Sequence, residues 1–339
     1  MEIALEAAIK IAVVLLIIIT VLAYLALFER KILGWMQYRV GPNRVGPWGL
    51  LQPLADVLKF AAKEDVTPDT PNKIIFTLAP LLALVPALMT LAVIPFGGTI
   101  ELFGRKIPLR ITDINVGLLY VFALGSLEVY GVVLAGWASN SKYSLLGGLR
   151  SAAQMISYEL ALALSVVGVL IQAGTLDLQA IVQAQAGTSF GFIPKWHVFW
   201  YQPLGFLIFF IAAVAETNRV PFDLPEAETE LVAGYHTEYS SIKFAMFFVG
   251  EYAAMFAVSA LATTLFLGGW TGPGAESVPL LGVVYFALKT AMLLFIYIWL
   301  RGTLPRFRYD QLMQFGWKFL VPMAFLNIFI SSALALFGR

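Results

Sequence analysis

Four ionisable residues interrupt stretches of the chain that are otherwise apolar, namely Glu128, Glu159, Glu251 and Lys289. A charged side chain at the centre of a bilayer costs about 2.5–3.5 kcal/mol on insertion scales, so none of them is expected to face lipid. Clustered buried carboxylates raise one another's proton affinity, which lets them hold and pass protons near neutral pH. The pattern predicts a proton path inside the membrane-embedded part of the chain.

A plainer interpretation of the same residues is a set of separate ion pairs, with Lys289 neutralising one glutamate and no transport role. One lysine cannot neutralise three glutamates, however. At 1.5 Å per residue, the glutamates lie about 12–15 Å from the cytoplasmic ends of their helices, with Lys289 slightly deeper. This common depth favours a shared polar path.

The stretch 216–240 is the second place where chemistry is expected. Against one cation, Arg219, it carries six carboxylates: Glu216, Asp223, Glu226, Glu228, Glu230 and Glu238. Asp223 and Pro225 are typical of a helix start, and Glu226 follows the predicted cap by three residues. An ordered acidic loop fits either a link between Glu216 and the proton path or a docking surface for a basic partner, and both interpretations stand.

Two further stretches combine cations with turn-forming residues. The first, 28–65, contains two Gly-Pro pairs and then, from Trp48, an amphipathic helical pattern that suits the membrane surface. The second, 301–317, contains Arg301, Arg306, Arg308 and Asp310. A plainer explanation of both sets of cations is that positively charged loops stay in the cytoplasm. The cations of the first stretch would also suit contact with lipid headgroups. The turn residues favour shaped sites.

Composition indicates which elements must position these residues. The chain is 60% apolar and 13% charged, which is typical of a membrane protein. Eight apolar stretches are long enough to cross the hydrocarbon core, which requires about 20 residues. They lie near 8–28, 74–95, 114–138, 151–171, 198–216, 243–268, 280–300 and 318–337. The sequence therefore predicts one polytopic all-α membrane domain over 1–339 with eight transmembrane helices and a surface helix.

Orientation follows from the distribution of Lys and Arg between the connections. Alternate connections, starting with the first, carry 15 of these residues, and the others carry 4. Because cytoplasmic loops hold the excess of positive charge, both termini are predicted outside and the acidic loop inside. The first helix has no evident cleavage site and is interpreted as retained.

The chain has no cysteine and two histidines, His197 and His236. Without thiolates it cannot hold an iron–sulfur cluster or a disulfide, and two separated histidines make a haem or another metal site unexpected. We therefore expect no metal and no covalently bound cofactor. Nothing in the charge pattern indicates nucleic acid.

Three motifs carry a resemblance to a known family. They are Glu29-Arg30-Lys31-x-Leu33-Gly34 with Gly41-Pro42-Asn43-Arg44 and Leu51-Gln52-Pro53-x-Ala55-Asp56; Glu216-Thr217-Asn218-Arg219-x-Pro221-Phe222-Asp223-Leu224; and Arg301-Gly302-x-x-Pro305-Arg306-x-Arg308-Tyr309-Asp310. In this order the chain resembles the quinone-site membrane subunits of respiratory complex I, which is NADH:quinone oxidoreductase. The resemblance extends through the whole chain.

The resemblance implies that this chain forms a quinone chamber together with a peripheral arm. It assigns to the chamber Glu29, Arg30, Gln37, Arg39, Arg44, Gln52, Asp56, Lys59, Arg219, Arg301, Arg306, Arg308 and Asp310. A row of glutamates, including Glu216, would lead to antiporter-like and small membrane subunits. Catalytic donors to quinone, FMN and the iron–sulfur clusters would belong to partner subunits, and the complex would lie in the cell inner membrane or an organellar equivalent.

Two alternatives to this function stay open at the level of the sequence. Related membrane subunits serve ferredoxin-dependent or hydrogenase complexes, so the electron donor, the quinone and the pumped ion are not fixed by this chain. A stand-alone secondary transporter is less favoured, because the chain shows no internal repeat and no paired interrupted helices. An inert anchor would leave the buried charges unexplained.

Overall fold

The structure, a computed structural model, describes residues 2–68, 72–102, 105–189, 193–224, 232–275 and 278–337. Its helices are α1 Glu2–Met36, α2 Gln52–Ala62, α3 Lys73–Thr90, α4 Gly117–Ala138, α5 Lys142–Ala173, α6 Leu178–Ala184, α7 His197–Trp200, α8 Pro203–Glu216, α9 Ser241–Phe266, α10 Pro279–Thr303, α11 Tyr309–Phe315 and α12 Val321–Phe337. A π-helical turn, Gly316–Leu320, joins α11 to α12. The described residues are thus predominantly helical, as the composition predicts.

Within the described residues, seven helical units are long and apolar enough to cross a membrane: α1, α3, α4, α5, α9, α10 and the continuous α11–α12 unit. The remaining predicted span, 198–216, corresponds to α7 and to α8, which has 14 residues. At 1.5 Å per residue α8 is about 21 Å long, shorter than the hydrocarbon core of about 30 Å. This short helix lies directly before the acidic loop.

Two helices extend well beyond their predicted spans. α1 continues to Met36 although the predicted span ends at residue 28, and α5 begins at Lys142 although its span begins at 151. Hydropathy identifies only the apolar part of a helix, whereas its backbone hydrogen bonds can continue through the polar residues that follow. The extension of α1 carries Glu29 and Arg30 on helical backbone.

Small elements complete the connections. Two antiparallel hairpins, which are not among the predicted elements, pair β1 Thr99–Leu102 with β2 Arg105–Pro108 and β3 Thr188–Ser189 with β4 Ile193–Pro194. Single 3₁₀ turns lie at Pro47–Gly49 and Gly234–His236. Both hairpins precede α4 or α8 on the side that the charge asymmetry predicts to be outside.

The centre of the bundle is α5, which packs against α4, α8 and α12. Close helix approach depends on small residues, as is usual in membranes. At Gly131 a Cβ atom would come within 2.6 Å of the backbone nitrogen of Ala83, so a larger residue would separate α4 from α3. By contrast, the first half of α1 exposes Ile9, Leu16 and Ile17. The bundle thus has a tightly packed centre and a peripheral first helix.

Candidate functional site: an ion cluster and a carboxylate row

Glu29 is the centre of a buried ion cluster, with 3% of its surface exposed. Its carboxylate accepts hydrogen bonds from Arg301 and from the Tyr252 hydroxyl, the latter at 2.6 Å. Arg219 Nη1 lies 3.3 and 3.5 Å from the two carboxylate oxygens. A buried carboxylate is tolerated only when its lone pairs are satisfied in this way. The cluster therefore joins the first, second and third sequence motifs at one point.

Arg219 connects this cluster to an intramembrane glutamate. Its Nε lies 2.6 Å from Glu251 Oε1, and its guanidinium carbon lies 4.3 Å above the Tyr252 ring. The two side chains are 7% and 16% exposed, respectively. A planar guanidinium can bind two carboxylates from different edges, which a lysine cannot do with the same geometry. A residue assigned to the chamber and a residue assigned to the proton path thus share one buried cation.

The ion pair lies far below the end of its helix. Glu251 follows Ser241, the first residue of α9, by ten positions. At 1.5 Å per residue this places the Arg219 contact about 15 Å along α9, within the depth of a bilayer. The polar segment after α8 therefore enters the helical bundle instead of lying on its surface.

Three other carboxylates gather around one turn of α4. Glu128 and Glu216 line the same cavity of about 40 Å³, which Thr90 and Thr217 also line. That volume holds a few water molecules. Glu159 accepts a hydrogen bond from Ser126 on the same turn of α4. The structure therefore brings Glu128, Glu159 and Glu216 to one region of the bundle.

Glu216 also has a buried oxygen, Oε2, without a hydrogen-bond partner among the described residues. Its other oxygen, Oε1, lies beside Gly125, where a Cβ atom would approach it to 3.7 Å. A buried carboxyl oxygen is costly unless the group is protonated or binds water. The position of Glu216 at the cavity suits a group that takes up a proton.

Lys289 lies apart from the glutamates. Its ammonium donates to the carbonyl oxygens of Leu267, Gly269 and Thr271 at 2.7, 2.9 and 2.8 Å. It also lies 4.1 Å from the centroid of the Trp196 ring. These contacts satisfy all three ammonium protons, so no contact within the described residues pairs Lys289 with Glu128, Glu159 or Glu251.

In the stretch 28–65, Asp56 is the shared acceptor. Arg30 Nη1 lies 2.7 Å from Asp56 Oδ2, Gln52 Nε2 donates to Oδ1 at 3.2 Å, and Lys59 Nζ lies 3.8 Å away. Because Arg30 follows Glu29 in α1, the Asp56 group is attached to the buried cluster through one helix. The motif resemblance assigns these residues to a single chamber, and the structure brings this set together.

Other predicted chamber residues are more exposed. Arg39 Nε donates to Gln37 at 2.8 Å, while Arg44 is exposed. Between them and α1, a cavity of about 370 Å³ is lined by Lys31, Trp35, Val40, Gly41, Pro42, Asn43 and Trp48. This cavity opens at the end of α1, beside the buried cluster but separate from it.

The acidic and basic loops contact one another. Arg306 Nη2 lies 3.0 Å from Asp223 Oδ2, and Arg308 Nε lies 3.4 Å from Asp310 Oδ1 in an exposed pair. Glu238 is half-buried. The helix start predicted at Pro225 and Glu226 lies outside the described residues, as do Glu228 and Glu230. For the described part, the acidic loop is ordered against the 301–310 segment.

The last turn of this loop is aromatic. Tyr239 stacks on Phe76 with ring centroids 4.1 Å apart, and burial raises the pKa of its hydroxyl above the ordinary value. His236 packs against Tyr235 and Phe244, and burial lowers its pKa to about 4. On the opposite side, burial also lowers the pKa of His197, whose Nδ1 lies 2.9 Å from Leu265 O. Burial therefore disfavours the charged form of both histidines.

No group of three or more His, Cys, Asp or Glu with metal-binding geometry occurs in the described ranges. Tyr252 and Ser126 are contact residues that were not among the predicted site residues. Tyr252 follows Glu251 directly, but this adjacency alone does not show that its hydroxyl reaches Glu29. The contact depends on how α1 and α9 pack.

Comparison with known proteins gives a consistent family. Residues 9–332 match the family described as NADH dehydrogenase. A Geobacter metallireducens protein, named as an H-type subunit of NADH-quinone oxidoreductase, is 54% identical over 322 residues, which cover 95% of this chain and 94% of the relative. A Thermomicrobium roseum protein with the same type of name is 55% identical over 329 residues, covering 96% and 95%. The matched region includes every part of the ion cluster and the carboxylate row.

Proposed function

The chain belongs to the NADH dehydrogenase family, within the H-type membrane subunits of NADH-quinone oxidoreductase, and from this we propose that it forms the membrane wall of a quinone chamber and couples quinone reduction to proton translocation. The observation that carries the proposal is the position of Arg219 between Glu29 and Glu251. One cation thereby connects the predicted chamber motifs to the predicted proton path.

The coupling step is electrostatic. Reduction of a quinone to a quinol takes two electrons from a partner subunit and two protons, and the intermediate charge is negative until the protons arrive. Negative charge in the chamber attracts Arg219 and Arg301 and weakens their hold on Glu29 and Glu251. A carboxylate that loses a neighbouring cation has a higher proton affinity. Proton uptake by Glu251 and then by its neighbours follows from this rearrangement.

The carboxylates around α4 provide the continuation of this path. Glu216 ends α8, two residues before the Asn218-Arg219 pair, and it shares the cavity with Glu128. Glu159 accepts a hydrogen bond from Ser126, which lies on the same turn of α4 as Glu128. We assign proton transfer to Glu251, Glu216, Glu128 and Glu159, and a structural role to Lys289, whose ammonium is satisfied by backbone carbonyls.

The proposed architecture is the eight-span arrangement in the cell inner membrane. α8 is the additional short span, both termini face outward, and α2 lies on the cytoplasmic membrane surface. FMN and iron–sulfur clusters belong to the partner subunits of the peripheral arm, and this chain binds quinone as a substrate. Antiporter-like and small membrane subunits receive the proton signal. The acidic loop, held to the 301–310 segment by Asp223 and Arg306, faces the peripheral arm.

The test compares two activities in the assembled complex. Asp56→Ala, Arg44→Ala or Arg301→Ala is expected to lower quinone reduction about tenfold or more, because each removes a polar group of the chamber. Reduction of an artificial acceptor that bypasses quinone should stay close to wild type. Arg110→Ala is the matched control, since Arg110 pairs with Asp113 on the opposite side. Equal loss of both activities in fully assembled complex would contradict the chamber assignment.

A further inference from the structure

The segment after α8 places irregular backbone at membrane depth. α8 ends at Glu216, and Arg219, three residues later, contacts Glu251 ten residues into α9. Inside a membrane, non-helical backbone is tolerated only where protein groups satisfy its carbonyl and amide groups. Residues 215–222 therefore need polar partners from a neighbouring helix.

Gln154 on α5 supplies those partners. Its side-chain Nε2 donates to Ala215 O at 2.7 Å and to Phe222 O at 2.8 Å, and the side chain is fully buried. Both neighbours are carbonyl oxygens, which can only accept, so the amide nitrogen must face them. One side chain thus joins the start and the end of the segment that carries Arg219.

A second contact from α5 holds the middle of the segment. Asn218 Nδ2 donates to Ser151 Oγ at 3.0 Å, and both residues are buried. Asn218 has a φ of 50°, a left-handed conformation that Asn adopts more readily than most residues with a side chain. Ser151 and Gln154 are three positions apart and so lie on one face of α5. This face fixes the backbone on both sides of Arg219.

We propose that Gln154 is a positioning residue for Arg219: by closing the 215–222 segment it fixes the guanidinium between Glu29 and Glu251. The inference rests on the proposed function, because Arg219 is the group through which Gln154 acts. Neither Gln154 nor Ser151 contacts Glu29 or Glu251 among the hydrogen bonds and ion pairs of the described residues. Their effect on quinone reduction must therefore pass through the backbone of the segment.

A general stabilising role for Gln154 predicts a different result. Loss of stability alone would reduce the amount of assembled complex and leave the turnover of each assembled complex unchanged. A positioning role changes the turnover of assembled complex and depends on the Arg219 side chain. The two roles are distinguished by combining Gln154→Leu with Arg219→Lys, which keeps the charge but loses the planar two-edged geometry.

The experiment measures quinone reduction and artificial-acceptor reduction per assembled complex for each single variant and the double variant. Gln154→Leu should lower quinone kcat about tenfold, a change of the size of one buried hydrogen bond, with artificial-acceptor activity retained. In the Arg219→Lys background, the same substitution should cost less than about twofold, because the group it positions has already changed. Gln172→Leu on the same helix is the matched control and should leave turnover at the wild-type level.

Ser151→Ala provides the test if Gln154→Leu does not assemble. It removes the acceptor of Asn218 together with a long contact to Met155 Sδ at 3.8 Å, and its smaller loss of quinone turnover should also disappear in the Arg219→Lys background. Multiplicative losses in the double variants would overturn the positioning role. Wild-type quinone turnover in the assembled Arg219→Lys variant would instead contradict the proposed function. Reduced turnover in Arg219→Lys with wild-type turnover in Gln154→Leu would reject this inference alone.

Discussion

Arg219 Nε and Glu251 Oε1 lie 2.6 Å apart in a buried ion pair that links the acidic loop to α9. This pair distinguishes two glutamates for which the sequence predicts the same role. Glu251 neutralises a buried guanidinium, whereas Glu159 accepts a hydrogen bond from an uncharged serine. Substitution with Gln therefore has different consequences at the two positions.

Glu251→Gln should reduce assembly more than Glu159→Gln. Removing one partner of a buried ion pair costs about 3–5 kcal/mol, because the other charge stays buried. The yield of assembled complex and its thermal stability in detergent measure this difference. Arg219→Gln combined with Glu251→Gln should recover assembly, since the pair is then neutral and Arg301 still neutralises Glu29, but not proton pumping. Equal assembly of the two single Gln variants would show that the Arg219 pair contributes little.

The sequence predicts which residues belong to the site better than it predicts which of them contact one another. Intramembrane position singles out Glu128, Glu159 and Glu251, and the motif resemblance singles out Glu29 and Arg219. Their contacts depend on helix packing, because the Glu29–Arg219 pair joins positions 190 residues apart. No local periodicity encodes such a separation. From the sequence alone, Lys289 is the cation in a predicted span that could pair with one of the glutamates.

Lys289→Met should lower the stability of the protein without changing the number of protons pumped per quinone reduced. The ammonium makes three hydrogen bonds to backbone carbonyls, and hydrogen bonds to charged groups contribute about 1.5–3 kcal/mol each when considered singly. We expect a clear loss of assembled complex and an unchanged number of protons pumped per quinone reduced in what remains. The measurement is pumping in reconstituted vesicles.

The control for Lys289 is Lys10→Met, which removes an i,i+4 pair with Glu6 on α1 and should have little effect. The structure also predicts that Lys289→Met does not restore assembly to Glu251→Gln, because the two side chains belong to separate clusters. Restoration would show that the lysine and the glutamate interact in the assembled complex.

His236 should make the chain sensitive to acid. Burial lowers its folded-state pKa from 6.5 to about 4, so between these values the unfolded chain binds more protons than the folded chain. Its contribution to stability is therefore present above pH 6.5, decreases as the pH falls, and is lost below about pH 4. His236→Phe keeps a ring against Tyr235 and Phe244 but cannot titrate.

The measurement for His236 is the thermal midpoint of the purified complex between pH 4.5 and 7.5. The Phe variant should lose less stability over this range than the wild type does. A variant and wild type with parallel pH profiles would mean that His236 does not contribute to the acid response. His197, whose pKa burial also lowers, remains as a source of pH dependence in both proteins.

Labelling from each side of the membrane tests the role of α8. Thr188 precedes the short helix and Glu238 follows it. In this chain without cysteine, Thr188→Cys should react only from outside and Glu238→Cys only from the cytoplasm. Lys63→Cys serves as the cytoplasmic reference. Reaction of both flanking cysteines from one side would show that α8 does not complete a crossing.

The helices, like the site residues, are partly predictable from the local sequence and partly determined by how the helices pack. Hydropathy predicts the long apolar helices, because a bilayer requires their length and composition. It gives no indication that α8 begins only at Pro203, because only Gln202 and Glu216 interrupt the apolar residues of 198–216. The end of α8 at Glu216 is followed at once by the contacts of Gln154 and Ser151 with the 215–222 segment and of Arg219 with α1 and α9.

α2 contains no buried residue, yet it is tied to two different helices. Asp56 binds Arg30 on α1, while the Phe60 and Lys63 carbonyls accept the Ser241 hydroxyl at 2.9 and 3.0 Å at the start of α9. α1 and α9 carry Glu29 and Glu251, the two carboxylates that Arg219 must reach at once. α2 thus bridges α1 and α9, so a displacement of α2 would change the spacing of the two carboxylates that one guanidinium contacts.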